Sequence, residues 1–352
     1  MFDIAHTARK SFFALSRLTG LRHFAPTSLG GLGGILMLHR VAPKSFSPLG
    51  ANDHLSVTPD FMEKVIVALK RDGYDFISMD EVPDALRAKG RTKRFIAVTF
   101  DDGYLDNYQN AFPILRRHNI PYTVYIAPGL INADVHLWWE ITEQVVAKRD
   151  DIVLPSTLGR EHFACSTMAE KRKTLQTIQR HMVKTLPEEQ HVLFTRDLAQ
   201  LAGIDCTAHN KHELMSWNQI REISKDSLCT IGAHTYSHFH LKKLTEDAAY
   251  KEFERCNTAL ELETGIKPKH LAYPYGYADA IGSREVALAA VAGYKTAVTT
   301  RHGLLFEDHA HIPTALPRIS LNGRYQNVSD VRTMMAGLTG LLANGRKRVV
   351  TV

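Results

Sequence analysis

Seven short apolar runs, each closed by a polar or turn residue, constrain this chain more than any other feature. Residues 34–38 end at His39, 95–100 at Asp101 and Asp102, 122–127 at Pro128, and 229–233 at His234. Residues 271–273 end at Pro274, 296–298 at Thr299 and Thr300, and 316–319 form the seventh run. Uninterrupted apolar runs of this length suit strands buried on both faces, as in a parallel sheet. Helical patterns separate them. Residues 58–71 open on Thr58-Pro59-Asp60 and carry Phe61, Val65, Ile66 and Leu69 on one face. Residues 107–118 and 246–264 are two more, the latter with Tyr250, Phe253, Leu260 and Leu262. Strands alternating with helices predict an α/β fold, here a distorted (β/α) barrel of about seven parallel strands. Polar residues at strand C-terminal ends stand where such barrels do chemistry.

The stretch 131–215 breaks the rhythm. It shows no clear β-run, reads as helical and polar, and is expected to be a helical insertion that starts near Trp138 and Trp139. The domain reading is therefore an N-terminal helical segment over 1–30, a barrel over 31–325 holding that insertion, and a C-terminal helix with a basic tail over 326–352.

Composition narrows the function classes. The 352 residues are 44% hydrophobic and 23% charged, which suits a globular protein with a real core. The net charge is +6 and the pI near 9.0. The excess is spread out, except for Arg346-Lys347-Arg348 and the looser Lys89, Arg91, Lys93, Arg94. No aromatic-basic stripe appears, so nucleic acid is not an expected partner. The four cysteines are far apart with no Cys-x-x-Cys pair, which argues against a thiolate zinc site and a dense disulfide framework and points to a reducing compartment. Residues 12–15 are too short and too broken for an export signal, and 30–38 falls far short of the ~20 residues that span a bilayer. The expected location is the cytoplasm. Contact with a membrane surface is the minor reading, through the basic tail or through Phe12, Phe13, Leu15, Leu18 and Leu21.

Three segments carry chemistry. In Thr99-Phe100-Asp101-Asp102-Gly103, two adjacent carboxylates follow a buried strand, and a strand-end turn can aim both into one site. Like charges this close are costly unless a cation holds one, so one aspartate should bind metal and the other be free to move protons. In His234-Thr235-Tyr236-Ser237-His238, imidazoles four residues apart share one face of a helical turn, a spacing a metal accepts. Two histidines and one carboxylate leave positions open for water and substrate. In Tyr273-Pro274-Tyr275-Gly276, a stiff turn can aim a backbone N–H into a cavity. Each alone has a plain structural explanation as a turn, a chance pair in a chain of 18 histidines, or a rigid loop.

Together and in this order, they resemble the motifs of the polysaccharide deacetylase family, also called carbohydrate esterase family 4. Met215-Ser216-Trp217 and Ile231-Gly232-Ala233 resemble it as well, and the likeness runs over roughly residues 33–321. The resemblance implies that Asp101 is the general base, that Asp102, His234 and His238 bind a divalent metal, and that the Tyr275 N–H helps hold an oxyanion. Two features depart from the family pattern. Ala272 stands where many members have an arginine that orients the base, and no Leu-x-His motif supplies an acid near the C-terminus. Met37-Leu38-His39-Arg40-Val41 resembles the permuted members, which places His39 as general acid. Arg318, in the seventh run, is the candidate to replace the missing arginine.

The implied activity is metal-dependent removal of an N-acetyl group from an amino sugar in an oligo- or polysaccharide. Zinc is the expected metal, with cobalt, nickel or iron as alternatives. The expected partner is an N-acetylated glycan, and no oligomeric state follows from the sequence. Two alternatives stay open: deacylation or deformylation of a lipid- or nucleotide-linked sugar, and a non-catalytic glycan binder.

Overall fold

The computed structural model describes residues 2–352 apart from Ser45, Lys89, Arg91, 155–161 and Arg346, with side chains from Arg9 onward except Thr27. Lys89, Arg91 and Arg346 of the two basic runs thus lie outside the described residues. Seven parallel strands carry the fold: β1 (Gly33–Leu38), β2 (Phe95–Phe100), β3 (Tyr122–Ile126), β4 (Cys229–Ala233), β5 (His270–Ala272), β6 (Thr296–His302) and β7 (Leu316–Ser320). They pair in chain order, and β1 also pairs with β7, so the sheet closes into a barrel. Leu36 stands opposite Ile319 at that closure. A two-residue strand, Asp75–Phe76, lies beside the start of β2.

Side-chain parity explains why these sequences close a barrel. Residues two apart on a strand share a face. Ile35, Ala97, Tyr125, Ala272, Val298 and Leu316 pack together as one buried cluster. Their neighbours Leu36, Val98, Val124, Ile231, Leu271 and Ile319 belong to a larger cluster that includes Phe61, Val65 and Leu69 of the helix Pro59–Arg71 and Phe253 and Leu260 of the helix Glu246–Thr264. The first set fills the lumen and the second faces the helical coat. Both faces are buried, so the runs are mainly apolar, with Thr99, Thr123, Thr296 and Arg318 as buried polar residues among them. The same parity carries His39, Asp101 and Arg318 onto the lumen side, because each lies an even number of residues from Ile35, Ala97 or Leu316.

Several local expectations change. Residues 107–118 are not one α-helix: a π-helical turn, Asn107–Ala111, precedes Phe112–Arg117. Pro113 has no N–H to give the ladder, which favours the wider turn there. The insertion contains the helices Trp138–Lys148, Met168–Lys184, His191–Gln200 and Cys206–Glu213, but also a short antiparallel pair, Asp151–Val153 with His162–Ala164. These three-residue strands are mostly exposed and carry no readable apolar run. Strand β6 extends to His302, beyond its apolar part. The N-terminal helix Phe2–Thr19 docks on Val328–Met335 through Ser16–Thr333 (3.1 Å) and Arg17–Asp330 (2.5 Å). Phe13 is buried against Tyr325, whereas Leu15 and Leu18 are exposed. No helix among the described residues is long and apolar enough to cross a membrane.

One buried cation ties the insertion to the barrel. Arg40, one residue past His39, reaches Asp106 (2.7 Å) beyond β2 and Glu140 (2.9 Å) and Glu213 in the insertion. Its guanidinium lies between the rings of Phe46 (4.1 Å) and Tyr104 (4.6 Å). Burial opposes its charge, and the surrounding carboxylates outweigh that. Removing one partner of a buried charge network leaves the others uncompensated. Arg40→Met should therefore lower unfolding free energy by about 3–5 kcal/mol, read from the midpoint of urea denaturation.

Candidate active site

All seven residues singled out from the sequence gather at the C-terminal ends of the barrel strands. Asp101 ends β2 and Arg318 lies within β7. Arg318 clasps Asp101 through two parallel hydrogen bonds, each 2.7 Å, from Nη1 to Oδ1 and Nη2 to Oδ2. The guanidinium is held in turn by the Thr299 carbonyl (2.9 Å) and the Thr99 hydroxyl (3.2 Å). Forked pairing of this kind fixes the carboxylate plane as well as its charge. Burial alone would raise the Asp101 pKa; the Arg318 charge and hydrogen bonds overcome that and hold it below the usual carboxylate value. Thr99 and Thr299, which brace Arg318, were not apparent from sequence. Their only signal is parity with Asp101 and proximity to β7 at closure.

Asp102 faces the other way. Its Oδ1 lies 3.3 Å from Nε2 of His234 and 3.4 Å from Nε2 of His238, and no hydrogen-bond partner satisfies it although it is buried. The candidate ligand atoms of the three residues all lie within 4.8 Å of one another. Donor atoms ~2.0–2.1 Å from a tetrahedral ion sit about 3.3–3.4 Å apart, so these spacings suit a shared cation better than direct hydrogen bonds. The Nδ1 of His234 is 2.7 Å from the Ala272 carbonyl. Donating there fixes the tautomer and leaves Nε2 free to ligate. The residues therefore fit a divalent metal with one carboxylate and two imidazoles. Burial pushes the Asp102 pKa up, and the two facing imidazoles bring it well below the ordinary value.

The His234–His238 segment is a loop, not the helical turn its spacing suggests. Thr235 and His238 both have positive φ, 55° and 54°. The loop folds His238 back so that its Nε2 converges with that of His234 on one oxygen. Asp102 (71°) and Tyr275 (63°) share the left-handed region, so four of the six described non-glycine residues with positive φ surround this site. Non-glycine residues rarely adopt that conformation, and each costs of order 1–3 kcal/mol. Gly232, on the lumen side of β4, makes room below: a Cβ there would lie 2.4 Å from the Tyr125 ring.

His39 completes the lumen side. Its Nε2 is 3.8 Å from Oδ2 of Asp101, and its carbonyl accepts from Asn107 (2.8 Å). Burial lowers its pKa, and the nearby carboxylates pull upward without reversing that. The Tyr275 ring lies 5.4 Å from that of His238, and its hydroxyl accepts from Trp138 (3.2 Å). The Thr300 hydroxyl donates to the Tyr275 carbonyl (2.7 Å), which pins the turn. Trp139 is also at the site, its ring 5.1 Å from His238. Both tryptophans are thus buried packing residues of the insertion and walls of the site.

A model of the polysaccharide deacetylase family matches residues 88–297, more than half of the chain. The chain belongs to the polysaccharide deacetylase family. Outside that range lie His39 and Arg318, the two residues that close the lumen side. YxkH of Bacillus subtilis (strain 168), named as a polysaccharide deacetylase, is 29% identical over 104 residues, which is 29% of this chain and 34% of YxkH. The match spans about a third of that relative's length. Streptococcus pyogenes deacetylase PplD, solved in complex with acetate, superposes with a TM-score of 0.57 at 19% identity, covering 86% of this chain and 97% of PplD. IcaB from Ammonifex degensii gives 0.54 at 19% identity over 86% and 98% of the two chains. A de-N-acetylase from Aggregatibacter actinomycetemcomitans gives 0.52 at 15% identity over 86% and 98%. These likenesses show that the deacetylase barrel is shared.

Proposed function

We propose that this family member is a metal-dependent N-deacetylase that hydrolyses the acetamide of an amino sugar in an oligo- or polysaccharide, releasing acetate and a free amine. The observation that carries this is the convergence on one barrel face of a metal-competent triad, Asp102, His234 and His238, with a separate carboxylate, Asp101, held by Arg318. A glycan binder has no use for a second buried carboxylate beside a metal triad. The name of the similar PplD structure, a deacetylase in complex with acetate, supports the same chemistry.

The three ligands suit zinc, and also cobalt, nickel or iron. A divalent ion bound there supplies Lewis acidity toward the acetyl carbonyl and the attacking water. The protein's own residues do the rest. Asp101, kept ionised by Arg318, takes a proton from the water as its oxygen attacks the acetyl carbon. The Tyr275 N–H donates to the oxygen that gains charge, a contact of a kind whose loss typically costs ~10²–10³ in rate. Burial keeps His39 neutral at rest, so the proton it delivers to the leaving nitrogen comes from Asp101 beside it. The C–N bond then breaks, and one water and one acetamide have become one acetic acid and one amine, which exchange a proton to leave acetate and an ammonium group. The substrate partner is an N-acetylated glycan. Four free cysteines support a reducing, cytoplasmic setting for the reaction.

The test is acetate release from N-acetylated oligosaccharides by protein stripped of metal and then restored with zinc, cobalt or nickel. Metal-dependent acetate is the expected result; none with any metal on any acetylated glycan would refute the proposal. A second outcome follows from the sign of the Asp101 shift. Arg318→Met removes the group that opposes burial, so the Asp101 pKa rises. The acidic limb of the kcat/KM profile should move up by ~1–3 pH units while metal content stays unchanged.

A further inference from the structure

Beside His39 lies a second cleft that the chemistry above does not use. Its volume is about 440 Å³, within the ~300–1,000 Å³ range of small-ligand sites. Lys10, Lys44 and Arg324 line it with Asp53, Thr58 and Gln326, so three cations meet one carboxylate. Neither Lys10 nor Lys44 has a carboxylate partner among the described residues. Uncompensated cations lining one concavity focus a positive potential into it.

Its position links it to the active site. Ala42 and Lys44 stand in the loop after β1, the strand that delivers His39. Gly323 and Arg324 stand in the loop after β7, the strand that carries Arg318. These strands are the hydrogen-bonded pair that closes the barrel, so the cleft opens on the catalytic face. Ser56, another lining residue, pairs with Arg40 in a two-strand ribbon, Arg40–Val41 with Ser56–Val57. The backbone near Arg324 is set rather than loose. Its N–H donates to the Asn322 side chain (2.9 Å), and a Cβ on Gly323 would lie 2.1 Å from the Asp53 carbonyl. His54, next in the chain to the lining residue Asp53, has its Nδ1 3.0 Å from the Ala51 carbonyl, the same carbonyl that accepts from Arg324 (3.2 Å).

We propose that this cleft is an anion subsite, and that the N-acetylated sugar taken by this enzyme carries a phosphate or diphosphate group. The inference rests on the deacetylase chemistry and changes its substrate from a free oligo- or polysaccharide to an amino sugar linked to a phosphate-bearing carrier. A net excess of two positive charges suits a phosphate dianion or a diphosphate. Arg324 supplies a fork for phosphate oxygens, Lys10 and Lys44 supply point charges, and the Ser56 hydroxyl supplies a neutral polar contact. The phosphate would belong to a carrier on the sugar, either a nucleotide or a polyprenyl lipid.

The test uses the full metal-loaded chain and two readouts. Glucose 1-phosphate has the anion but no acetamide, so its binding by calorimetry needs no turnover. It should bind where glucose does not, and Lys44→Gln with Arg324→Gln should weaken it ~10-fold or more. In turnover, the preference for N-acetylglucosamine 1-phosphate over N-acetylglucosamine, as a ratio of kcat/KM, should fall ~10-fold in the same variant, through KM. Lys44→Gln alone, on an exposed loop, keeps the test readable if Arg324→Gln disturbs its turn. UDP-N-acetylglucosamine in solution and polyprenyl-diphosphate-linked N-acetylglucosamine in vesicles distinguish the carriers, and deacetylation of either one ahead of neutral sugar upholds the subsite. Equal binding by wild type and variant, or preference for a phosphate-free glycan, overturns it. Phosphate-dependent binding without acetate from any substrate would defeat the deacetylase reading and leave the subsite standing.

Discussion

Two consecutive buried carboxylates, Asp101 and Asp102, set the terms for the whole catalytic face. Left together, they would repel, and burial would protonate at least one. The fold gives each its own positive partner. Arg318 clasps Asp101 from β7, and His234 and His238 face Asp102 from the far side. The first arrangement exists only because the barrel closes, bringing β7 round to β1 and β2. The second exists only because the chain turns left-handed at Asp102, swinging its side chain away from Asp101. The difference in surroundings lets adjacent, chemically identical residues take different tasks.

This division has a structural cost. Strained backbone at Asp102, Thr235, His238 and Tyr275 persists only where the surroundings over-determine it. Here the surroundings are a lumen filled by Ile35, Ala97, Tyr125 and Val298, and an insertion locked down by Arg40. Arg40 is adjacent to His39, so the network that fastens the insertion also borders the residue assigned to proton delivery. The basic cleft is lined by Ala42 and Lys44 of the same segment. Residues 39–44 thus bring together the histidine proposed for proton delivery, the arginine that attaches the insertion, and the lysine of the proposed anion subsite.

The strands were legible because a barrel buried on both faces favours apolar residues at most positions, and such runs stand out. The motif residues were legible because they fall where those runs stop. Helix 246–264 was readable to its ends because Thr245 caps it and Gly265 turns it off in the left-handed region. Other features depend on contacts distant in sequence. The three-residue strands of the insertion bury too little to leave a pattern. The His234–His238 spacing has the same count in a helix and in this loop, and only the φ values at Thr235 and His238 separate them. Arg318 was readable as the candidate to orient Asp101, but the forked geometry of the pair was not, because it depends on the register between strands more than 200 residues apart. The basic cleft left no motif, since Lys10, Lys44 and Arg324 come from three separate segments.

The account turns on Asp102 holding a metal that Asp101 does not touch. Measuring metal stoichiometry by mass spectrometry in Asp101→Asn and Asp102→Asn, alongside acetate release, tests this most directly. The account predicts that Asp101→Asn keeps its metal and loses acetate release, whereas Asp102→Asn loses both. Loss of metal from Asp101→Asn to the same degree, or acetate release by it at the unmodified rate, would contradict it.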